Sequence, residues 1–111
     1  MRSIRRPTKE ELSLIKYLLR ESNVHLNADW NETLFVRELD DGGMGSLELY
    51  PNINILNQRS YGKTIAEHQF LDDDGIPILA SLNIDKEGKL FELDMWKVDY
   101  SPILSFPKIP V

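Results

Sequence analysis

Residues 61–99 read YGKTIAEHQFLDDDGIPILASLNIDKEGKLFELDMWKVD, and the punctuation of this stretch decides the fold. Three strand-like runs, at 61–71, 76–85 and 89–99, are separated by Asp72-Asp73-Asp74-Gly75 and Lys86-Glu87-Gly88. Short loops that end in Gly between β-rich runs are hairpin signals, because Gly adopts the positive φ the turn demands at little cost. The stretch therefore reads as a three-stranded antiparallel meander with Ile76–Asp85 in the middle. Ile76, Ile78, Ala80, Leu82 and Ile84 alternate along that central strand and fall on one face, the face on which a helix would pack.

Upstream, Thr8-Lys9-Glu10-Glu11 is a capping box: the Thr8 hydroxyl accepts from the Glu11 amide and the Glu11 carboxylate reaches back to Thr8. Pro7 lies just outside, where its missing N–H costs the helix nothing. Leu12, Ile15, Leu18 and Leu19 supply an apolar stripe, so a helix is expected from Lys9 to Glu21, stopping at Ser22-Asn23. Residues 24–33 read as a connection with a turn near Asp29 that folds Trp30 onto the core. Thr33–Leu39 and Ser46–Tyr50 read as two further strands around the turn Asp40–Gly45, and 51–59 as a long loop carrying Asn52, Asn54 and Asn57. After Asp99, Pro102, Pro107 and Pro110 rule out a central strand, so the tail is expected to lie extended over the surface. The fold class is α+β, an N-terminal helix on a mostly antiparallel sheet of about five strands, in one domain spanning residues 1–111.

A chain of 111 residues with 41% hydrophobic and 28% charged residues has the composition of a globular domain with one core. It has no Cys, which removes disulfides, thiolate nucleophiles and Cys-bound metals and suits a reducing compartment. No apolar run follows the basic opening residues and none reaches membrane-spanning length, so a cytoplasmic protein is expected. The net charge of −5 is uneven. Arg2, Arg5, Arg6, Lys9, Lys16 and Arg20 outnumber Glu10 and Glu11 in the first twenty residues, whereas the other 91 hold seven basic and sixteen acidic side chains. Either a basic helix neutralises an acidic sheet within the molecule, or the acidic sheet faces a basic partner. Nucleic acid is a poor partner for such a surface, because phosphate contacts need a basic footprint.

Asp40-Asp41-Gly42-Gly43-Met44-Gly45-Ser46 holds three of the six glycines but joins strand to strand and lacks Lys, so it reads as a tight or bulged turn rather than a phosphate loop. Three consecutive Asp at 72–74 cannot all turn toward one ion, and read as a solvated hairpin tip rather than a calcium loop. His68 is the histidine placed inside a strand. A three-residue loop at 73–75 puts it opposite Ala80, and a Gly88-bulged turn puts Ala80 opposite Asp94. His68, Glu92 and Asp94 would then share a face, with outer strands about 9.6 Å apart, twice the strand spacing. One register slip undoes that grouping. The run Leu90–Tyr100 mixes aromatics and acids. Either its second face is covered by the Pro-rich tail, or Trp96 and Tyr100 form an exposed patch ringed by acids, a composition typical of binding hot spots.

The segments Arg6-Pro7-Thr8-x-x-Glu11, Asp41-Gly42-Gly43-Met44-Gly45-Ser46-Leu47, Ser81-Leu82-Asn83-Ile84-Asp85 through Gly88, and Phe91-Glu92-Leu93-Asp94-Met95-Trp96-Lys97-Val98-Asp99-Tyr100-Ser101-Pro102 resemble a small bacterial domain-of-unknown-function family of about this length. The likeness covers nearly the whole chain. It implies a bacterial, stand-alone, single-domain protein and carries over no catalytic residue.

The expected function is a non-enzymatic protein-binding module, with an immunity-type protein against a basic, nuclease-like toxin as the specific case. Glu92, Asp94, Trp96 and Tyr100 are its candidate contacts. The alternative is a small enzyme or ligand-binding protein using His68 with Glu92 or Asp94, and a third reading is a homodimer that closes its own sheet edge. No catalytic residue, metal ligand or cofactor is assigned, and neither nucleic acid nor membrane is expected as partner.

Overall fold

Each Gly-ended turn of the meander forms as a three-residue loop. Asp72 donates its N–H to the Ile76 carbonyl and Asp85 donates to Lys89, while Gly75 and Gly88 close back onto the carbonyls of Asp72 and Asp85 with φ of 79° and 83°. The computed structural model describes residues 2–55 and 58–109, so Leu56 and Asn57 in the expected loop, and Pro110 in the tail, lie outside the described residues. The elements are α1 (Lys9–Glu21), α2 (Trp30–Thr33), β1 (Phe35–Glu38), β2 (Leu47–Tyr50), β3 (Tyr61–Leu71), β4 (Pro77–Asp85) and β5 (Leu90–Lys97). The strands make one antiparallel sheet ordered β1-β2-β5-β4-β3. The chain leaves β2, starts the meander on the far edge, and returns so that β5 closes against β2. This is the α+β architecture expected from the pattern.

The capping box is present in both directions, with Glu11 N–H to Thr8 Oγ1 at 3.1 Å and Thr8 N–H to Glu11 Oε1 at 2.9 Å, and α1 ends at Ser22. Its packing stripe differs from the expected one. Leu14, Ile15 and Leu18 are fully buried below Glu11, while Leu12 and Leu19 are half-buried at the margins. Positions 11, 14, 15 and 18 share one helical face, and Glu11 belongs to it because its carboxylate is taken up by Arg5 at 2.9 Å. This face lies on β3 and β4, over Ala80 and Leu82 among others. Each fully buried leucine stabilises the fold by about 1.5–3 kcal/mol. Thr33 falls in α2 rather than in the first strand, and Trp30 packs against the core as expected.

The tail does more than lie on the surface. Ile103, Phe106 and Ile109 pack against the same core as the helix, and residues 105–109 border a groove with Lys9, Glu10 and Ser13. The Asp40–Gly45 segment joins strand to strand as expected, but as a six-residue loop closed by Leu39 N–H to the Ser46 carbonyl at 3.0 Å, with β1 and β2 in unbroken register, rather than as a tight or bulged turn. Asp41 accepts from the Met44 and Ser46 amides, and Gly43 accepts from Ile103. A Cβ at Gly43 would come within 3.2 Å of Pro102 and one at Gly45 within 3.1 Å of Ile103, and both residues have positive φ, so glycine lets this loop lie close under the tail. The tail therefore covers the helix side of the sheet and leaves the second face of β5 bare.

The two sheet edges are blunted differently. Arg5 exchanges two backbone hydrogen bonds with Val36 on β1, at 2.8 and 2.7 Å. On β3 the register shifts between Tyr61 and Lys63 and again between Thr64 and Ala66, and such irregularities discourage edge-to-edge pairing.

Candidate functional site: the open face of the sheet

Alternation along β5 sorts its side chains between two environments. Leu93, Met95 and Lys97 point to the helix side and are buried, whereas Asp94 and Trp96 are exposed and Glu92 is half-buried on the other face. The register then builds that open face row by row. Glu92 stands beside Asn83 and Glu48, and Glu48 beside Arg37; Asp94 stands beside Ser81, which faces Glu67.

The electrostatics of these rows are unbalanced. Arg37 pairs with Glu48, which also accepts from the Tyr50 hydroxyl at 2.6 Å, and the Ser81 hydroxyl donates to Glu67 at 3.0 Å. Among the described residues no cation forms an ion pair with Glu92, Asp94 or Glu67. Partial burial, then the neighbouring charges of Asp94 and Glu48, push the Glu92 carboxyl above its ordinary pKa. The basic N-terminus does not relieve this, because Arg2 and Arg5 pair with Glu38 and Glu11, and Arg6 donates to the Leu34 and Asn31 carbonyls. The N-terminal arginines thus act near the β1 edge.

Beside the acids lie two aromatic rings. Trp96 is 38% exposed and Tyr100 71% exposed, with ring centroids 6.0 Å apart and planes tilted by 57°. Tyr100 has φ of 65°, the one positive φ at a non-glycine among the described residues. Its N–H donates to the Lys97 carbonyl at 2.8 Å, and the next turn is held by Ser101, whose N–H and Oγ both donate to Asp99. Of the two readings of Leu90–Tyr100, the exposed aromatic patch is the one the structure contains.

His68 is elsewhere. It pairs with Ala80 as expected, but Ala80 opposes Met95 and Asp94 opposes Ser81, so His68 and the two acids lie on opposite faces of the sheet. The physical cause is one extra residue, Phe91, between the pairs Ile84–Leu90 and Asn83–Glu92. Arg59 fills the resulting bend, lying 5.2 Å over the Phe91 ring and donating to the Leu90 carbonyl. On the helix side, the His68 Nδ1 lies 3.3 Å from the Tyr17 hydroxyl and 3.2 Å from Glu21, and the imidazole packs edge-on against the Tyr17 ring. A groove bordered by Lys16, Arg20, His25 and Trp30 opens near the end of α1, and neither His68 nor any sheet carboxylate lines it.

The tip of the triple-Asp turn is solvated as its sequence suggests, at Asp73, Asp74 and Gly75, but Asp72 at its base is not. Asp72 is buried and accepts from the fully buried Lys97 at 2.8 Å and from the Leu104 amide at 2.8 Å; Lys97 reaches Asp74 at 2.8 Å as well. Burial alone would raise the Asp72 carboxyl, but Lys97 and the amides of Leu104, Asp73 and Ser105 outweigh it and hold it well below the ordinary carboxylate range. Asp85 mirrors this arrangement, binding Arg59 at 3.0 Å and the Glu87 and Lys89 amides at 2.9 Å each. These two sites tie the tail and Arg59, just ahead of β3, to the sheet. The signal for the first was the polar Lys97 at a position where β5 should bury an apolar side chain.

Among the described residues no group of His, Asp and Glu has the arrangement of a metal site, and no helix is long and apolar enough to cross a membrane. Fold and site together define a small α+β domain with one sheet face roofed by a helix and tail and the other presented with acids and aromatics. The chain belongs to the family described as a domain of unknown function, DUF6984, whose sequence profile matches residues 4–107. Comparison with curated proteins and with solved structures returns no significant match to either.

Proposed function

We propose that this domain is a protein-binding module that docks a basic partner on the open face of its sheet, with Glu92, Asp94, Trp96 and Tyr100 as contacts. The observation that carries the reading is the proximity of exposed aromatic rings to carboxylates that form no ion pair among the described residues. Aromatic side chains supply large contact area at low entropic cost, and unmatched charge of one sign steers a partner of the other. An immunity-type protein that blocks a basic, nuclease-like toxin is the specific form of this function that we put forward. Acidic surface facing outward suits neutralisation of a protein whose own ligand is phosphate.

The test begins with the partner recovered from the native host by affinity capture and continues with its association rate at low and high salt. The partner is expected to be basic, and association to slow steeply as the screening length contracts from about 10 Å at 0.1 M to about 3 Å at 1 M. Charge reversal at Glu92 and Asp94 should slow association far more than reversal at the exposed Asp73, and His68→Ala should leave it intact. Association indifferent to salt, or loss confined to His68→Ala, overturns the reading.

A further inference from the structure

We infer that the ring pair Trp96–Tyr100, with Asp94 beside it, is a subsite for an arginine side chain of the partner. This inference rests on the docking face proposed above and names the side chain that face would read. Two tilted rings with centroids 6.0 Å apart, exposed to solvent, present π faces rather than a closed stack. A π face attracts a cation, and a guanidinium does so best because it is planar, weakly hydrated on its faces and able to fork onto a carboxylate at its edge. Asp94 supplies that carboxylate, being two residues from Trp96 on the same strand and the same face, with no ion pair among the described residues. A lysine ammonium is compact and strongly hydrated, so it gains the charge term but not the stacking.

Tyr100 occupies a backbone position that favours glycine, and its ring nonetheless stands against Trp96 rather than in the core. Replacing it with Gly removes the ring and relieves the backbone together. A role confined to the fold predicts loss of stability on that change, whereas a binding role predicts stability kept and recognition lost.

The experiment uses the full isotope-labelled chain, titrated at low salt with hexa-arginine and, separately, hexalysine. The Trp96 indole N–H and the Tyr100 and Asp94 amides are followed by NMR. Hexa-arginine is expected to shift all three, with hexalysine binding at least about two-fold more weakly there, because an ammonium lacks the planar stacking and the fork of a guanidinium. Tyr100→Gly should weaken the arginine response by a similar factor without lowering the melting temperature, and Tyr100→Phe should preserve it. Equal responses to the two peptides, or an unchanged response in Tyr100→Gly, overturn the subsite. Shifts at Glu92 and Asp94 with none at Trp96 or Tyr100 reject the subsite while leaving the acidic docking face standing. No shift anywhere on the face rejects both.

Discussion

The carboxylates at the two ends of the meander and those in the middle of its open face live under opposite rules. Asp72 and Asp85 are buried, each beside a cation and each accepting from amides of its own turn, and both are held below their ordinary pKa. Glu92 and Asp94 stand two residues apart on one strand with no ion pair among the described residues, and Glu92 is pushed the other way. The first pair is organised as stability requires, because a buried charge left unpaired costs several kcal/mol. The second pair runs against stability, and repulsion retained on an open surface is what a binding face for a cationic partner requires.

The sharpest way to break this comparison is Asp72→Ala, which leaves the buried Lys97 with only the more exposed Asp74 as an ion-pair partner and removes the acceptor for the Leu104 and Ser105 amides. Denaturant unfolding should show a loss of about 3–5 kcal/mol, typical for one partner of a buried pair. A loss under about 1 kcal/mol, the scale of an exposed pair, would place this aspartate with the surface acids.

Acid titration is expected to be the next largest effect. A carboxylate whose pKa is depressed in the fold stabilises fully above its unfolded value and loses that contribution as pH falls through the folded one. For Asp72, Asp85 and Glu11 the loss therefore begins near pH 4, the ordinary carboxylate value, and deepens below it. Glu92 has the opposite sign, favouring the fold while protonated and ceasing to do so as pH rises through its raised pKa. Thermal melts from pH 7 to pH 2 that decline already at pH 6 would contradict this assignment.

Smallest is Glu92→Gln. Removing its charge should raise the unfolding free energy at neutral pH, by less than about 1 kcal/mol because the group is partly exposed to solvent screening. A marked destabilisation would show that Glu92 is a structural acid like Asp85.

What the sequence revealed follows the same division. Local patterns were readable: the capping box at Thr8–Glu11, the Gly75 and Gly88 turns, and the pairing of His68 with Ala80 all depend on residues close in the chain. Long-range matching was not. The extra residue at Phe91 is contacted by Arg59, thirty-two positions away, and with it the expected partnership of Ala80 with Asp94 slipped by one and parted His68 from both acids. Asp72 was taken for a surface acid because its partner Lys97 is twenty-five residues on. Strand alternation placed Glu92, Asp94 and Trp96 on one face without any distant information, but it did not decide whether that face was open or covered by the tail. That the tail would cover the helix side instead of this patch was set by Gly43 and Gly45 admitting Pro102, Ile103 and Phe106, a fit no periodicity encodes.

The most direct measurement joins both halves of the comparison in one molecule. The double variant Glu92→Gln, Asp94→Asn is compared with the wild type for melting temperature and for association rate with the captured partner. The account predicts a melting temperature equal to or above wild type together with markedly slower association. A variant that melts lower, or that associates at the wild-type rate, would contradict it.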